Sequence, residues 1–326
     1  MFPWAMASTD LGASCRMGEA MGDFLRSFSR LDVETKRASI LVDLASAMCA
    51  EEVAWEQELR RSRALHEKRA DEAVDAGIAE AYAHALAAAR NYRSFQAAIE
   101  LFGDPNEGCP VFESERDEVF YLLGLASGAL AVLHGQRSSG LAAVPLDVPR
   151  RVERGASCFA EDQLWGVPTA LRAAISLSIP GLSQGLSALG QSSPWDILEA
   201  AAKVGDAAGL GLARALLVQT AQTHGEQERL CAAAKLHFER LNSTPAAAEW
   251  ALLDSYASAM IRHELDLTWT REQGHRMPIG EQGCPSQEIE EETLDDELLD
   301  GLGFEESDEA ELEQPVDSLE NEANEN

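Results

Sequence analysis

Long apolar runs, strand-like alternation and catalytic signatures are all scarce in this chain of 326 residues. No stretch supplies the ~20 consecutive apolar residues of a bilayer span. The nearest is Val119–Gln136 (VFYLLGLASGALAVLHGQ), 18 residues without formal charge, of which Val119–Leu133 is strictly apolar. Ala173–Trp195 is also uncharged, but Pro180 and its many Gly, Ser and Gln residues interrupt it. The first is expected to be a buried core helix, with Gly124-x-x-x-Gly128 allowing close helix approach, and the second two short helices around a break. No membrane span is predicted.

The absence of any period-two alternation excludes sheet-based classes. The N-terminus, Met1-Phe-Pro-Trp-Ala-Met6, lacks the basic stretch and long apolar core of an export signal. Cys15, Cys49, Cys109, Cys158, Cys231 and Cys284 lie far apart with no C-x-x-C pair. Isolated reduced thiols in a cytoplasmic protein are therefore expected. Cys231 reads as core, and Cys158, although it follows Arg150, Arg151 and Arg154, has no His to be paired with as a nucleophile. The three arginines themselves read as a solvated loop.

Enzymatic and metal signatures are missing one by one. His263-Glu264 lacks the second His of H-E-x-x-H, because position 267 is Leu. Glu272-x-x-His275 occurs without the second copy that a carboxylate-bridged metal site needs. Gly205–Gly211 has neither a preceding strand nor a following Lys-Ser/Thr, so phosphate-cradling loops are excluded. Gly-x-Ser-x-Gly does not occur. The seven histidines are expected on the surface or at helix ends. No catalytic, cofactor-binding or metal residue is nominated, and no cofactor is expected.

What is present is helical periodicity. Leu41, Leu44, Met48, Trp55 and Leu59 form one stripe of a 3.6-residue period, and the pattern continues through Ala73–Phe102 with a break expected at Gly77. Gly103–Pro110 is a loop, Ser114-Glu-Arg-Asp117 caps the apolar helix 115–134, and Gly135–Arg154 reads as loop. Pro168 suits a first helical turn, and Ser193-Pro194-Trp-Asp196 combines an N-cap, Pro at N1 and an acid at N3. Further helices are predicted over 207–223 and 226–241, and from Thr244-Pro245 onward.

Two fragments carry the grammar of helical repeats. Tyr82–Asn106 (YAHALAAARNYRSFQAAIELFGDPN) resembles part of a tetratricopeptide unit, although the gap from Ala98-Ile99 to Pro105 is several residues short. Ala200–Leu217 (AAAKVGDAAGLGLARALL) is similar to the core of a Sel1-like repeat through Gly205-Asp206-Ala207 and Leu210-Gly211. Neither recurs at a fixed period.

Charge is distributed unevenly. The chain has 26 basic and 56 acidic residues, a net −30. Glu281–Asn326 holds 19 of the acids and no base, which leaves 37 against 26, or −11, for the first 280 residues. Such a balance opposes direct binding to nucleic acid or anionic lipid and favours basic protein partners. Within the acidic segment, Leu294, Leu298 and Leu302 are spaced i, i+4, i+8, with Leu299 beside them, Phe304 following and Thr293 available as a cap. These five apolar residues are the candidate partner-binding set, folding on a basic-rimmed groove of a partner.

The expectation is an all-α protein with a helical-hairpin, bundle or irregular helical-repeat body and a disordered acidic C-terminal arm. Residues 1–15 are expected to be flexible, 16–272 to form the body with a sub-boundary in the loop 135–160, and 273–326 to be the disordered tail with its amphipathic motif at 293–304. The function expected is non-enzymatic: an adaptor, scaffold or chaperone-like protein that holds a partner on its body and recruits a basic one through the tail. The alternatives are an acidic modulator of a nucleic-acid-binding protein and a helical enzyme whose site sequence does not reveal.

Overall fold

A chain rich in Ala and Leu, punctuated by Ser, Pro and Gly caps, has few options besides helix. The computed structural model describes residues 6–28, 33–179 and 193–285, and among these it contains ten α-helices and no strand. The expected Leu294, Leu298, Leu299, Leu302 and Phe304 motif, and the disorder expected around it, lie outside the described residues.

The helices are α1 (Leu11–Phe28), α2 (Val33–His66), α3 (Ala70–Phe102), α4 (Glu115–Arg137), α5 (Val148–Ala156), α6 (Val167–Ser178), α7 (Pro194–Ala207), α8 (Leu212–His224), α9 (Gln227–Ser243) and α10 (Ala251–Gln273). Caps set several of these limits. The Ser114 side chain accepts from Asp117 N, and Ser193 and Asp196 form a reciprocal capping box around Pro194. Gly225 and Gly274 close α8 and α10 in the left-handed region.

The long antiparallel hairpin of α2 and α3 is the frame. Arg61 pairs with Glu80, Asn91 Nδ2 donates to Glu51 (2.9 Å) and Ser94 Oγ donates to the Ile40 carbonyl (2.9 Å) along its length. Helix α4 lies on α3 with no room for side chains at its glycines. A Cβ on Gly124 would overlap that of Ala98, and one on Gly128 would stand 2.7 Å from Phe95. Of the apolar window of α4, 67% is buried inside the body.

Helices α6 to α9 form a second cluster on the other side of α4, and α10 ties it back to the frame. Tyr256 meets Glu51, His263 meets Glu58, and His66 meets the Arg271 carbonyl. The offset is 205 residues at every rung, so α10 runs parallel to α2 for about four turns.

Several expectations are corrected. Residues 11–15, expected to be flexible, open α1. Helix α3 is unbroken at Gly77; the break falls at Glu67–Arg69 instead. The supposed loop 135–154 contains α5, for which Pro149 fits the first turn. The last helix starts at Ala251, after a short 3₁₀ turn at Ala248–Trp250, rather than at Thr244. Residues 273–285 do not belong to a free tail. Trp269 Nε1 donates to the Gly283 carbonyl (2.8 Å), and Cys284 is bonded to Cys231.

The cysteine reading is overturned outright. All six are joined, as Cys15–Cys49, Cys109–Cys158 and Cys231–Cys284, and none is free. The first fastens α1 to α2, the second fastens the 103–114 loop beneath α5, and the third fastens the segment after α10 to α9. Closing spans of 34, 49 and 53 residues, each removes unfolded-state entropy worth on the order of 3–4 kcal/mol. The protein unfolded without reductant is therefore expected to take up no alkylating agent, and to take up six equivalents after reduction, as read by intact mass. Six equivalents without reduction would restore the reduced-thiol reading.

Candidate functional site

The polar centre of the body is assembled from α2, α3, α4 and α10. Glu51, 1% exposed, accepts from His134 Nε2 (3.0 Å), Asn91 Nδ2 (2.9 Å) and the Tyr256 hydroxyl (2.5 Å). Burial alone would raise its pKa, but the His134, Tyr256 and Asn91 hydrogen bonds and the His134 charge bring it below the usual carboxylate range. Tyr256 is shifted the other way: burial, then the adjoining carboxylate, raise it well above an ordinary phenol.

Behind His134 stands His84, with the two Nδ1 atoms 2.9 Å apart. The two rings share one hydrogen bond through these Nδ1 atoms, while His134 Nε2 engages Glu51. His84 Nε2 faces Glu80, 3.9 Å away. Burial first, then the neighbouring His134 and Arg137, lower His84 to about 3. Burial raises the Glu80 pKa, against the pull of the Arg61 guanidinium paired with it.

One rung away, Glu58 accepts from His263 Nε2 (3.0 Å), and the His263 ring stacks on Trp55. Desolvation pulls Glu58 upward, yet the His263 hydrogen bond and Arg137 hold it at about 2. His84, His237 and His263 are buried within their helices, contrary to the expected surface or helix-end positions; His134 is buried in the last turn of α4, and His66, His224 and His275 are exposed. Among the described residues no group of three or more His, Cys, Asp or Glu side chains is placed to hold a metal ion.

Apolar cavities flank this centre. One of about 900 Å³ lies among α1, α2 and the N-terminal ends of α4 and α10, and another of about 260 Å³ among α4, α6, α8 and α10. They stand on either side of the same three side chains, Leu44, Leu253 and Tyr256. The Tyr256 ring is therefore a wall of both, positioned by the hydrogen bond from its hydroxyl to Glu51. Small residues on α4 and α6 (Ala126, Ala129 and Ala174) leave the smaller cavity open.

The other sequence candidates are absorbed by structure. Arg151 pairs with Asp104 (2.9 Å) and lies over the Phe95 ring, while Arg154 bonds Asn106, so this cluster on α5 holds the neighbouring loop. Cys158 is a cystine partner, not a thiolate. The Sel1-like glycines serve close packing: a Cβ on Gly205 would be 2.7 Å from the Leu210 carbonyl oxygen, and one on Gly211 would be 2.6 Å from His237. Gly211 N–H donates to Asp254, which Arg240 also binds. The tetratricopeptide-like fragment lies in the single helix α3 and the turn after it. No family model matches the chain, and neither a curated protein nor a solved structure does.

His237, bonded to Ser258 Oγ (2.9 Å), gives a pH test of these buried rings. Burial, then Arg240 and Arg214, lower it from 6.5 to about 3. In that interval the unfolded chain binds the proton and the folded one does not. Stability is thus complete above 6.5 and is lost as pH falls towards 3. His237→Gln is expected to cost stability at neutral pH but to narrow its gap to the wild type between about pH 7 and pH 4. Urea midpoints across that range check this; a constant gap would refute it.

Proposed function

We propose that the helical body is a holder for an elongated apolar small molecule. The observation that carries this reading is the pair of apolar cavities meeting across Leu44, Leu253 and Tyr256. Volumes of this size and walls of this composition are those of small-molecule sites. Holding suits the polar centre better than catalysis does. Glu51 already accepts three hydrogen bonds, which supports a role in fixing Tyr256 rather than in accepting a proton from a ligand. Three cystines fit an oxidising compartment better than the cytoplasm expected from sequence.

The test is cavity filling. The neutral fluorophore N-phenyl-1-naphthylamine is expected to brighten on binding the full chain. Ala129→Phe, projecting into the smaller cavity, should weaken its binding about tenfold or more, with the urea midpoint little changed. Undiminished binding by a folded variant would count against the site.

A second reading keeps the expected adaptor. On α3 the exposed residues Val74 (64%), Ile78 (55%), Tyr82 (64%) and Leu86 (45%) are spaced four apart and form one apolar stripe. This is the face on which a partner helix would lie. Under this reading, Ile78→Ser with Tyr82→Ser abolishes co-purification of a stoichiometric partner without lowering stability. A partner retained by the double variant would rule the stripe out.

A further inference from the structure

The smaller apolar cavity has a second neighbour. A polar recess of about 460 Å³ shares Leu133, Gln136 and Thr223 with it, so three cavities lie in file: two apolar, then one lined by charge. Arg61, Arg137 and Arg271 line the recess against Glu58 and Glu80. The two carboxylates are already committed. Glu58 accepts from His263 and Glu80 pairs with Arg61 (2.7 Å).

Arg137 stands 4.0 Å from Glu58, and the buried Glu264 feels both Arg137 and Arg271. Arg271 is exposed, and among the described residues no carboxylate lies within ion-pair distance of it; only its backbone carbonyl is engaged, by His66. An independent observation points to the same place. Gln222 lines the recess, and its Nε2 is buried with no hydrogen-bond partner. A buried donor without an acceptor costs about 1–3 kcal/mol unless something else satisfies it.

We infer that this recess binds the anionic head, a carboxylate or a phosphate monoester, of a single-chain amphiphile whose tail occupies the apolar cavities. The inference rests on the holder reading above and adds the polar end of the ligand. Arg137 and Arg271 supply charge-assisted donors, and Gln222 Nε2 supplies a neutral one. Leu133, Gln136 and Thr223, which line both cavities, mark where head and tail would join.

Displacement of N-phenyl-1-naphthylamine from the full chain by hexadecanoate, hexadecyl phosphate and hexadecanol at low salt tests it. The tighter-binding anion is expected to exceed the alcohol about tenfold, and identifies the head. Arg271→Gln, at an exposed position, should bring both anions down to the level of the alcohol and leave the alcohol unchanged. Gln222→Leu should weaken the anions by a smaller factor. If all three amphiphiles displace the probe equally, the holder reading stands and the head-group site is overturned. An anion preference that survives both Arg271→Gln and Arg137→Gln also overturns it. If none of the three displaces the probe, both readings fall together.

Discussion

The buried carboxylate of Glu51 is the constraint on which the rest of the body depends. A charge removed from water is tolerable only when its oxygens are fully bonded. Here the donors come from α3 (Asn91), α4 (His134) and α10 (Tyr256), so the charge is satisfied only when all three helices stand around α2. Apolar burial alone does not specify that arrangement, because Ala-rich helices slide past one another at little cost in contact area. The repeat of the same residue offset at Glu58–His263 and His66–Arg271 fixes the sliding register of α10. The glycines of α4 fix its distance from α3.

That arrangement also accounts for the empty space. Small side chains let helices approach closely where backbones touch, as at Gly124, but they leave gaps where a helix pair diverges. Ala126, Ala129 and Ala174 border such a gap. A cavity between helices is unfavourable, because its lining forfeits dispersion contacts. The cystines and the polar centre offset that cost without filling the space. An open interior in a body otherwise so firmly tied is what the holder reading explains.

Helical class was legible because its signals are local. Ser193, Pro194 and Asp196 cap a helix through contacts within four residues, and Ser114 with Asp117 does the same. The misplaced boundaries were cases where two local readings compete. Pro149 is a loop former until the chain around it is seen to be a first helical turn, and Thr244-Pro245 resembles a helix start although the chain turns once more before Ala251. The cystine pairings join positions 34 to 53 residues apart and left no local trace. Wide spacing without a C-x-x-C pair pointed to reduced thiols.

The polar centre was hidden for the same reason of distance, yet it had a signature. Glu51 and Glu58 are seven residues apart on an otherwise apolar face of α2, and Tyr256 and His263 are seven apart on α10. Two helices with polar residues at a matched spacing of two turns can satisfy one another rung by rung when they run parallel. Reading each histidine singly, against metal and protease motifs, missed that pairing. The distinction bears on function as well. A group that must react needs a free lone pair or a proton to give up, whereas each carboxylate of this pair of rungs has its hydrogen bonds already directed at a neighbouring helix. A donor without a partner lies elsewhere, at Gln222 Nε2. The two rungs and the recess meet at Glu58, whose carboxylate accepts from His263 and also lines the recess beside Arg271 and Gln222.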